Sequence, residues 1–237
     1  MSKLSSVSRC TLLLACVTLI PGFLCAADKI VLTAEDGKTA QIVASMVSSR
    51  HINHPEINDA LSERLLKRYL EVWDPQKLYF LQSDINEFSK EKTSLDDRIL
   101  KGDVQFAALV FERFRSRMDV RAGQLDALID LDHDFTVTEE MIRDAKEISW
   151  AANEEELDER WRKRIKFDLL MLKMDDTDLA EARKRLHKRY HTNQVFLDQT
   201  EAHEVLELYL SSMTHCLDPH STFMSPQTLE DFRIDME

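Results

Sequence analysis

Hydrophobic residues recur along most of the chain at intervals of three or four, with polar and charged residues between them. This spacing places them on one face of an α-helix, so it predicts a series of amphipathic helices. The clearest stripes are Leu61, Leu65, Tyr69 and Trp73; Phe106, Val110, Phe114, Met118, Leu125 and Ile129; Leu157, Trp161, Ile165, Leu169 and Leu172; Leu179, Ala182, Leu186 and Tyr190; and Val205, Leu206, Tyr209, Leu210 and Met213. The second stripe is the longest and predicts a spine helix.

The residues that break helices are few. The whole chain of 237 residues has four glycines and five prolines, too few for the turns of a protein built from many short strands. Residues 28–39 are the only stretch with extended character. We therefore predict an all-α fold, a multi-helix bundle of about seven helices arranged as one large domain or two lobes.

The N-terminus has the pattern of a secretory signal peptide. Lys3 and Arg9 precede an apolar run over residues 11–24, which ends in the small residues Ala26 and Ala27. We predict that residues 1–27 are a signal peptide cleaved before Asp28, and that the mature chain is exported and has no membrane span. A lipoprotein modified at Cys16 is the weaker alternative, because too little apolar core precedes that cysteine.

Removal of this leader changes the cysteine count and the charge. Cys216 then stands alone, so no internal disulfide can form. The net charge of −12 becomes −14, because Lys3 and Arg9 leave with the leader. Such an acidic surface repels nucleic acid and anionic lipid, and we predict no nucleic-acid partner.

The C-terminal segment is punctuated by two prolines. Pro219 follows Asp218 and ends the last long helix, because proline lacks the amide proton and excludes its neighbour from the helical region. Ser225 is then a good N-cap, and Pro226 suits the first position of a new helix. We predict that residues 28–216 form the helical domain and that residues 217–237 form a junction segment, with Asp218, Pro219, His220, Ser221, Ser225 and Pro226 as its junction residues.

Two patterns in the middle of the chain superficially resemble metal sites. Asp130, Asp132 and Asp134 alternate like the start of a calcium loop, but Phe135 stands where the loop needs glycine and Met141 where it needs glutamate. We interpret this segment as a solvated loop at a helix end.

His187 and His191 are one helical turn apart, as zinc ligands can be. Lys188 stands where a metalloprotease helix has its glutamate, and further basic residues flank the pair. We interpret this surface as a basic helix face paired with nearby acidic residues.

The densest group of ligand-type residues is His215, Cys216, Asp218 and His220. It would bind a transition metal only if the turn folded inward, and we favour a turn in which Asp218 binds backbone amides. Asp218, His220 and Ser221 are also the residue types of a hydrolase triad, but residues so close in sequence do not readily line up in series. We predict no catalytic, metal-binding or cofactor-binding residue and no cofactor.

Three blocks of the chain resemble the N-terminal helical domain of the tail-specific proteases, exported members of the C-terminal processing peptidase family. They cover most of residues 28–237 in the family's order. The blocks are Arg68-Tyr69-Leu70 with Trp73-Asp74 and residues 78–88; residues 153–157 with Trp161, residues 166–168 and Leu172; and residues 218–222 with Ser225-Pro226 and residues 230–232.

The resemblance implies a periplasmic serine endopeptidase that degrades or trims proteins recognised by their apolar C-termini. In that family the helical domain leads into a PDZ domain and then into a protease core with a serine nucleophile activated by lysine. No position in this chain matches those catalytic residues. Ser221 instead matches the hydroxyl residue of the family's Asp-Pro-His turn.

The resemblance therefore predicts a non-catalytic scaffold whose partners are protein substrates, an adaptor lipoprotein, and PDZ and protease domains encoded downstream. A different class of function is also compatible with these amphipathic helices. The chain would then be a free-standing exported binding or adaptor protein with no link to proteolysis.

Overall fold

The computed structural model describes residues 29–236, and the predicted signal peptide lies outside them. Within this range the chain forms nine α-helices and no β-strand, which confirms the all-α prediction. The helices are α1 (Ala34–Arg50), α2 (Asp59–Trp73), α3 (Gln82–Phe88), α4 (Leu95–Leu100), α5 (Gln105–Asp130), α6 (Glu154–Met174), α7 (Leu179–Asp198), α8 (Ala202–His215) and α9 (Pro226–Asp235). The number exceeds the seven or so predicted because three helices have ten residues or fewer.

Helix α1 corrects the expectation of extended structure over residues 28–39. It begins at Ala34, where Thr33 and Asp36 cap it reciprocally. The Thr33 backbone N–H donates to the Asp36 carboxylate at 2.6 Å, and the Asp36 N–H donates to Thr33 Oγ1 at 3.3 Å. These two bonds satisfy amides that have no partner inside the helix, so the helix begins earlier than its hydrophobic stripe.

Helix α5 is the predicted spine, and it contributes to two hydrophobic cores. The N-terminal part of α5 packs with α1, α2, α4 and α8 in the first core, which includes Tyr69, Phe106, Phe111 and Tyr209. Its C-terminal part packs with α6 and α7 in the second core, which centres on Trp161. The fold is thus one helical body with two lobes that share a helix.

The loop between α2 and α3 connects the two cores. The buried carboxylate of Asp74 accepts hydrogen bonds from the backbone N–H groups of Leu78, Tyr79 and Phe80, at 2.8 to 2.9 Å. The indole N–H of Trp161 donates to the carbonyl of Leu78 at 2.5 Å. Three amides on one carboxylate order the loop. Because Trp161 of the second core donates to this loop, the loop helps to set how the two cores pack together.

Two glycines allow α1 to lie against the end of α4. A Cβ atom on Gly37 would lie 2.1 Å from the carbonyl oxygen of Gly102, a distance at which no side chain fits. Gly102 has φ of +76°, the left-handed conformation expected from its position after the helix.

None of the helices in residues 29–236 combines the length and the apolar composition needed to cross a membrane.

Candidate functional site

The predicted junction segment begins as a tight turn at the end of α8. The backbone N–H of Asp218 donates to the carbonyl of Thr214 at 3.2 Å. Asp218 Oδ1 then accepts from the backbone N–H of His220 at 3.1 Å, and its carbonyl accepts from the N–H of Ser221 at 3.0 Å. The bond from the His220 backbone is the main reason that the pKa of Asp218 is lowered. Asp218 therefore orders the turn as an ionised carboxylate.

The segment continues into α9 as its sequence predicts. Ser225 is the buried N-cap, and its Oγ accepts from the N–H of Thr228 at 3.2 Å, with Pro226 at the first helical position. The carboxylate of Glu207 on α8 accepts from the Ser225 N–H at 3.0 Å and from Thr228 Oγ1 at 2.7 Å. Because Glu207 binds both sides of the cap, the start of α9 is fixed against α8.

Ser221 makes a contact that local sequence does not predict. Its Oγ lies 3.2 Å from Nε2 of His51, which follows the last residue of α1, and 3.4 Å from Oδ2 of Asp218. A serine, a histidine and an aspartate therefore do meet at the junction, but the histidine is not His220. His220 is exposed and contributes only its backbone N–H to Asp218.

The hydrogen bonds around Ser221 do not have the order that activates a serine nucleophile. The backbone N–H of Asn53 donates to Nδ1 of His51 at 3.2 Å, so the ring proton is on Nε2 and is donated to Ser221 Oγ. Ser221 in turn donates to Asp218. A hydrolase triad needs the reverse order, in which the histidine accepts the serine proton and the acid holds the other ring nitrogen. The cluster is a hydrogen-bonded contact that holds the end of α1 against the junction.

The ligand-type residues around the end of α8 also have separate tasks. His215 Nδ1 donates to the carbonyl of Ser211, one turn back in its own helix, at 2.7 Å. The thiol of Cys216 is half-buried, and burial raises its pKa, which disfavours the thiolate that binds metals. The backbone carbonyl of Cys216 accepts from the guanidinium of Arg64 on α2 at 2.8 Å. Within residues 29–236, these side chains do not form a common metal-binding group with Asp218 and His220.

An apolar groove of about 640 Å³ lies beside the junction. One wall is α1, with Ile42 and Met46 exposed along it, and the other includes Thr222 and Phe223. The backbone of Phe223 is held against α8, because its carbonyl accepts from Ser211 Oγ at 2.8 Å. The junction thus presents an open, ordered surface with little chemistry of its own.

A second polar cluster lies between α5 and α7, in the other lobe. His187 Nδ1 is 2.7 Å from Asp126 Oδ1, and His187 Nε2 is 3.0 Å from Asp130 Oδ1. His191 Nε2 lies 3.4 Å from the same oxygen of Asp126. Burial disfavours the charged ring, but the hydrogen bonds that the ring donates to the carboxylates of Asp130 and Asp126 outweigh this effect, and the pKa of His187 is raised. Sequence reasoning found the two histidines and missed both of these carboxylates as their partners.

The calcium-like run over residues 130–135 shows no shared binding centre. Asp130 is the last residue of α5 and faces His187, whereas Asp134 accepts from the backbone N–H and the hydroxyl of Thr136 at 2.8 and 2.6 Å. The run is a helix end followed by a capped turn.

Residues 29–236 thus form an all-α body that ends in an ordered turn and a short helix. The chain matches the tail-specific protease N-terminal domain family over residues 42–227, and it belongs to that family. It is 28% identical over 187 residues to the tail-specific protease of Haemophilus influenzae. This match covers 78% of the chain and 27% of the relative, so the chain spans about a quarter of the relative's length. The resemblance seen in the sequence is thereby confirmed.

Proposed function

We propose that this chain is the non-catalytic helical scaffold of a periplasmic tail-specific serine endopeptidase. The enzyme degrades or trims proteins recognised by their apolar C-termini, and the helical part encloses the substrate path and offers a docking surface to an adaptor lipoprotein. The family match supports the link to proteolysis. The apolar run over residues 11–24 after Lys3 and Arg9 supports export.

The observation that carries the non-catalytic assignment is the orientation of the Ser221 hydroxyl. It accepts a hydrogen bond from His51 Nε2 and donates one to Asp218, so His51 is not oriented to act as its base. Asp218 is a poor base because its pKa is lowered. Bond cleavage therefore belongs to another part of the enzyme.

Two exposed apolar surfaces support a packing role. Helix α9 buries none of its residues, and Phe232 and Ile234 are 47% and 65% exposed. Ile42 and Met46 on α1 are exposed in the groove beside the junction. Exposed apolar patches of this kind mark interfaces. Helix α9 lies within the segment that would lead into the PDZ domain, and the groove lies beside that segment.

The test is a chimera with the Haemophilus influenzae tail-specific protease, in which this chain replaces the matching segment. We expect the chimera to cleave a reporter protein that carries an apolar C-terminus, and we expect the present chain alone to cleave none. Cleavage is followed by electrophoresis, with the native relative and the relative lacking the segment as controls.

Three outcomes would contradict the proposal. Turnover by the pure chain that Ser221→Ala abolishes would place a catalytic site here. A folded but inactive chimera would show that this scaffold does not serve a protease. Equal activity of the chimera and of the relative without the segment would show that the scaffold is not needed.

A further inference from the structure

Helices α5 and α7 each present two ligand-type side chains one turn apart on the faces where they pack together. The pair on α5 is Asp126 and Asp130, and the pair on α7 is His187 and His191. Residues four apart lie on one helix face, so the two pairs face each other across the helix contact. One oxygen of Asp126, one ring nitrogen of His187 and one of His191 all lie within 4.8 Å of one another.

The second nitrogen of His187 has the partner that metal-binding histidines usually have. Nδ1 lies 2.7 Å from Asp126 Oδ1, whereas Nε2 lies 3.0 Å from Asp130 Oδ1. A carboxylate on the far ring nitrogen fixes the tautomer and the ring orientation and makes the free nitrogen a better ligand. Asp130 is placed for this task, and it leaves Asp126 to bind the ion directly.

Most neighbouring basic residues are occupied on other faces. Arg185 pairs with Glu181 at 3.1 Å, and Arg189 pairs with Asp168. Arg183 donates to the carbonyl of Leu131 at 3.0 Å, which places its charge at the end of α5. The two arginines that flank the histidines most closely in the sequence, Arg185 and Arg189, are thus directed elsewhere by the fold, whereas Arg183 lies beside Asp130.

We propose that Asp126, His187 and His191 bind one zinc-type divalent cation and that Asp130 orients His187. Two imidazoles and one carboxylate are a common ligand set for Zn²⁺, with water in the fourth position. No glutamate stands beside the histidines to act as a base, because Lys188 occupies that position. The ion would therefore connect α5 to α7 and perform no hydrolysis. This inference does not depend on the proposed protease role.

The full chain, freed of metal by a chelator, is titrated with Co²⁺ and followed by visible absorption. We expect one equivalent of Co²⁺ to bind through the histidines and to give the strong visible absorption of four-coordinate Co²⁺. Added Zn²⁺ should displace the Co²⁺ and remove this absorption. Zn²⁺ should also raise the unfolding midpoint, because it binds only the folded arrangement of the two helices.

Variants separate the ligands from the orienting residue. His191→Ala and Asp126→Asn should each abolish the four-coordinate signal, whereas Asp130→Asn should weaken Co²⁺ binding about 10- to 100-fold and keep the spectrum. His203→Ala is the control, because His203 is a partly exposed histidine beside Glu201 on another helix. The three substituted residues of the site are exposed and His203 is partly exposed, so circular dichroism should show unchanged helix content.

The proposal fails if the parent chain gives no saturable Co²⁺ signal and no Zn²⁺-dependent rise in its unfolding midpoint. It also fails if His191→Ala retains the full signal. Binding through cysteine thiolates would appear as charge-transfer absorption that survives His191→Ala, and that result would equally overturn it.

Discussion

The two lobes are built from the same kind of helices but hold them together differently. The first core contains many completely buried rings, among them Tyr69, Phe80, Phe88, Phe106 and Tyr209, several of them in edge-to-face contact. The second core is smaller and has one large ring at its centre. Tyr79 and Tyr190 contact that ring edge-on, with 5.4 and 5.7 Å between ring centroids, and charged side chains lie around these three rings.

Ion pairs surround the second core on several sides. Arg121, itself buried, pairs with Asp158 at 2.6 Å and lies over the Trp161 ring. Asp168 is nearly buried and pairs with Arg164 at 3.2 Å and with Arg189. The comparison teaches that apolar area fixes the first lobe, whereas the second depends on one buried ring with two tyrosine neighbours and on correctly paired charges.

The largest expected effect comes from removing the central ring of the second core. Trp161→Ala should lower the free energy of unfolding by about 3–5 kcal/mol, because it leaves a cavity in a core with few other large side chains. The side chain is 1% exposed, and its N–H bond to Leu78 is lost as well. Urea unfolding followed by circular dichroism measures the change.

Phe196→Ala is the control for this change, since Phe196 is 66% exposed on α7. Its effect should stay within about 0.5 kcal/mol. Comparable losses from the two substitutions would mean that Trp161 is not the centre of the second core.

The first lobe should respond most strongly to an added methyl group where two backbones touch. Gly37→Ala should lower the free energy of unfolding by about 2–3 kcal/mol, because the new Cβ must push α1 away from Gly102. Gly123→Ala on α5 is the matched control. It meets nothing within 4 Å, so it should raise the free energy of unfolding by roughly 1 kcal/mol through helix propensity.

Thermal and urea unfolding of both variants give the comparison. If the two glycine substitutions changed the free energy of unfolding in the same direction, the result would contradict the close contact between Gly37 and Gly102.

The connection between the lobes should show a pH dependence. Asp84 is buried on α3 and accepts from Arg113 and Arg117, and Arg117 also pairs with Glu154 on α6 at 2.7 Å. Burial opposes the charged form, but the bonds from Arg117, from the Leu81 backbone and from Arg113 outweigh it and lower the pKa of Asp84.

Because this folded-state pKa lies below the unfolded value of about 3.9, the carboxylate stabilises the fold fully above that value. The contribution disappears as pH falls through the folded-state pKa. Asp84→Asn should therefore cost roughly 2 kcal/mol at neutral pH and progressively less in acid. Urea unfolding across this pH range tests it, with Asp97→Asn at an exposed pair as the control. A cost that does not change with pH would contradict the assignment.

The smallest effect is expected at the junction, outside both cores. Pro219 is exposed in the turn after α8, so Pro219→Ala should lower the free energy of unfolding by only about 0.4–1 kcal/mol, through greater freedom of the unfolded chain. Far-ultraviolet circular dichroism should show unchanged helix content. Loss of a large part of the helix signal would mean that the turn supports the lobes and does not merely follow them.

Much of the fold was predictable because its signals are local. Hydrophobic spacing identified the helices of both lobes, including the spine, and the caps at Ser225 and Pro226 form as expected. Gly102 takes the left-handed conformation that glycine readily adopts after a helix. The start of α1 was missed, because its capping pair precedes a weak hydrophobic stripe.

The polar clusters were not predictable, because each joins residues far apart in the chain. His51 and Ser221 are 170 positions apart, and His187 is 61 positions from Asp126. Read locally, Asp218, His220 and Ser221 suggest one triad and His187 with His191 suggests a basic surface. The structure replaces His220 with His51 and adds two carboxylates to the histidine pair.

By itself the sequence determined the helical class, the main helix stripes and the turn at Asp218-Pro219, since these follow from side-chain spacing and backbone conformation within a few residues. Only the tertiary structure decided which helices share a core, which side of His51 carries the proton and which charges meet between α5 and α7. Those outcomes depend on packing and hydrogen-bond partners brought together from distant positions, and no local pattern encodes such a meeting.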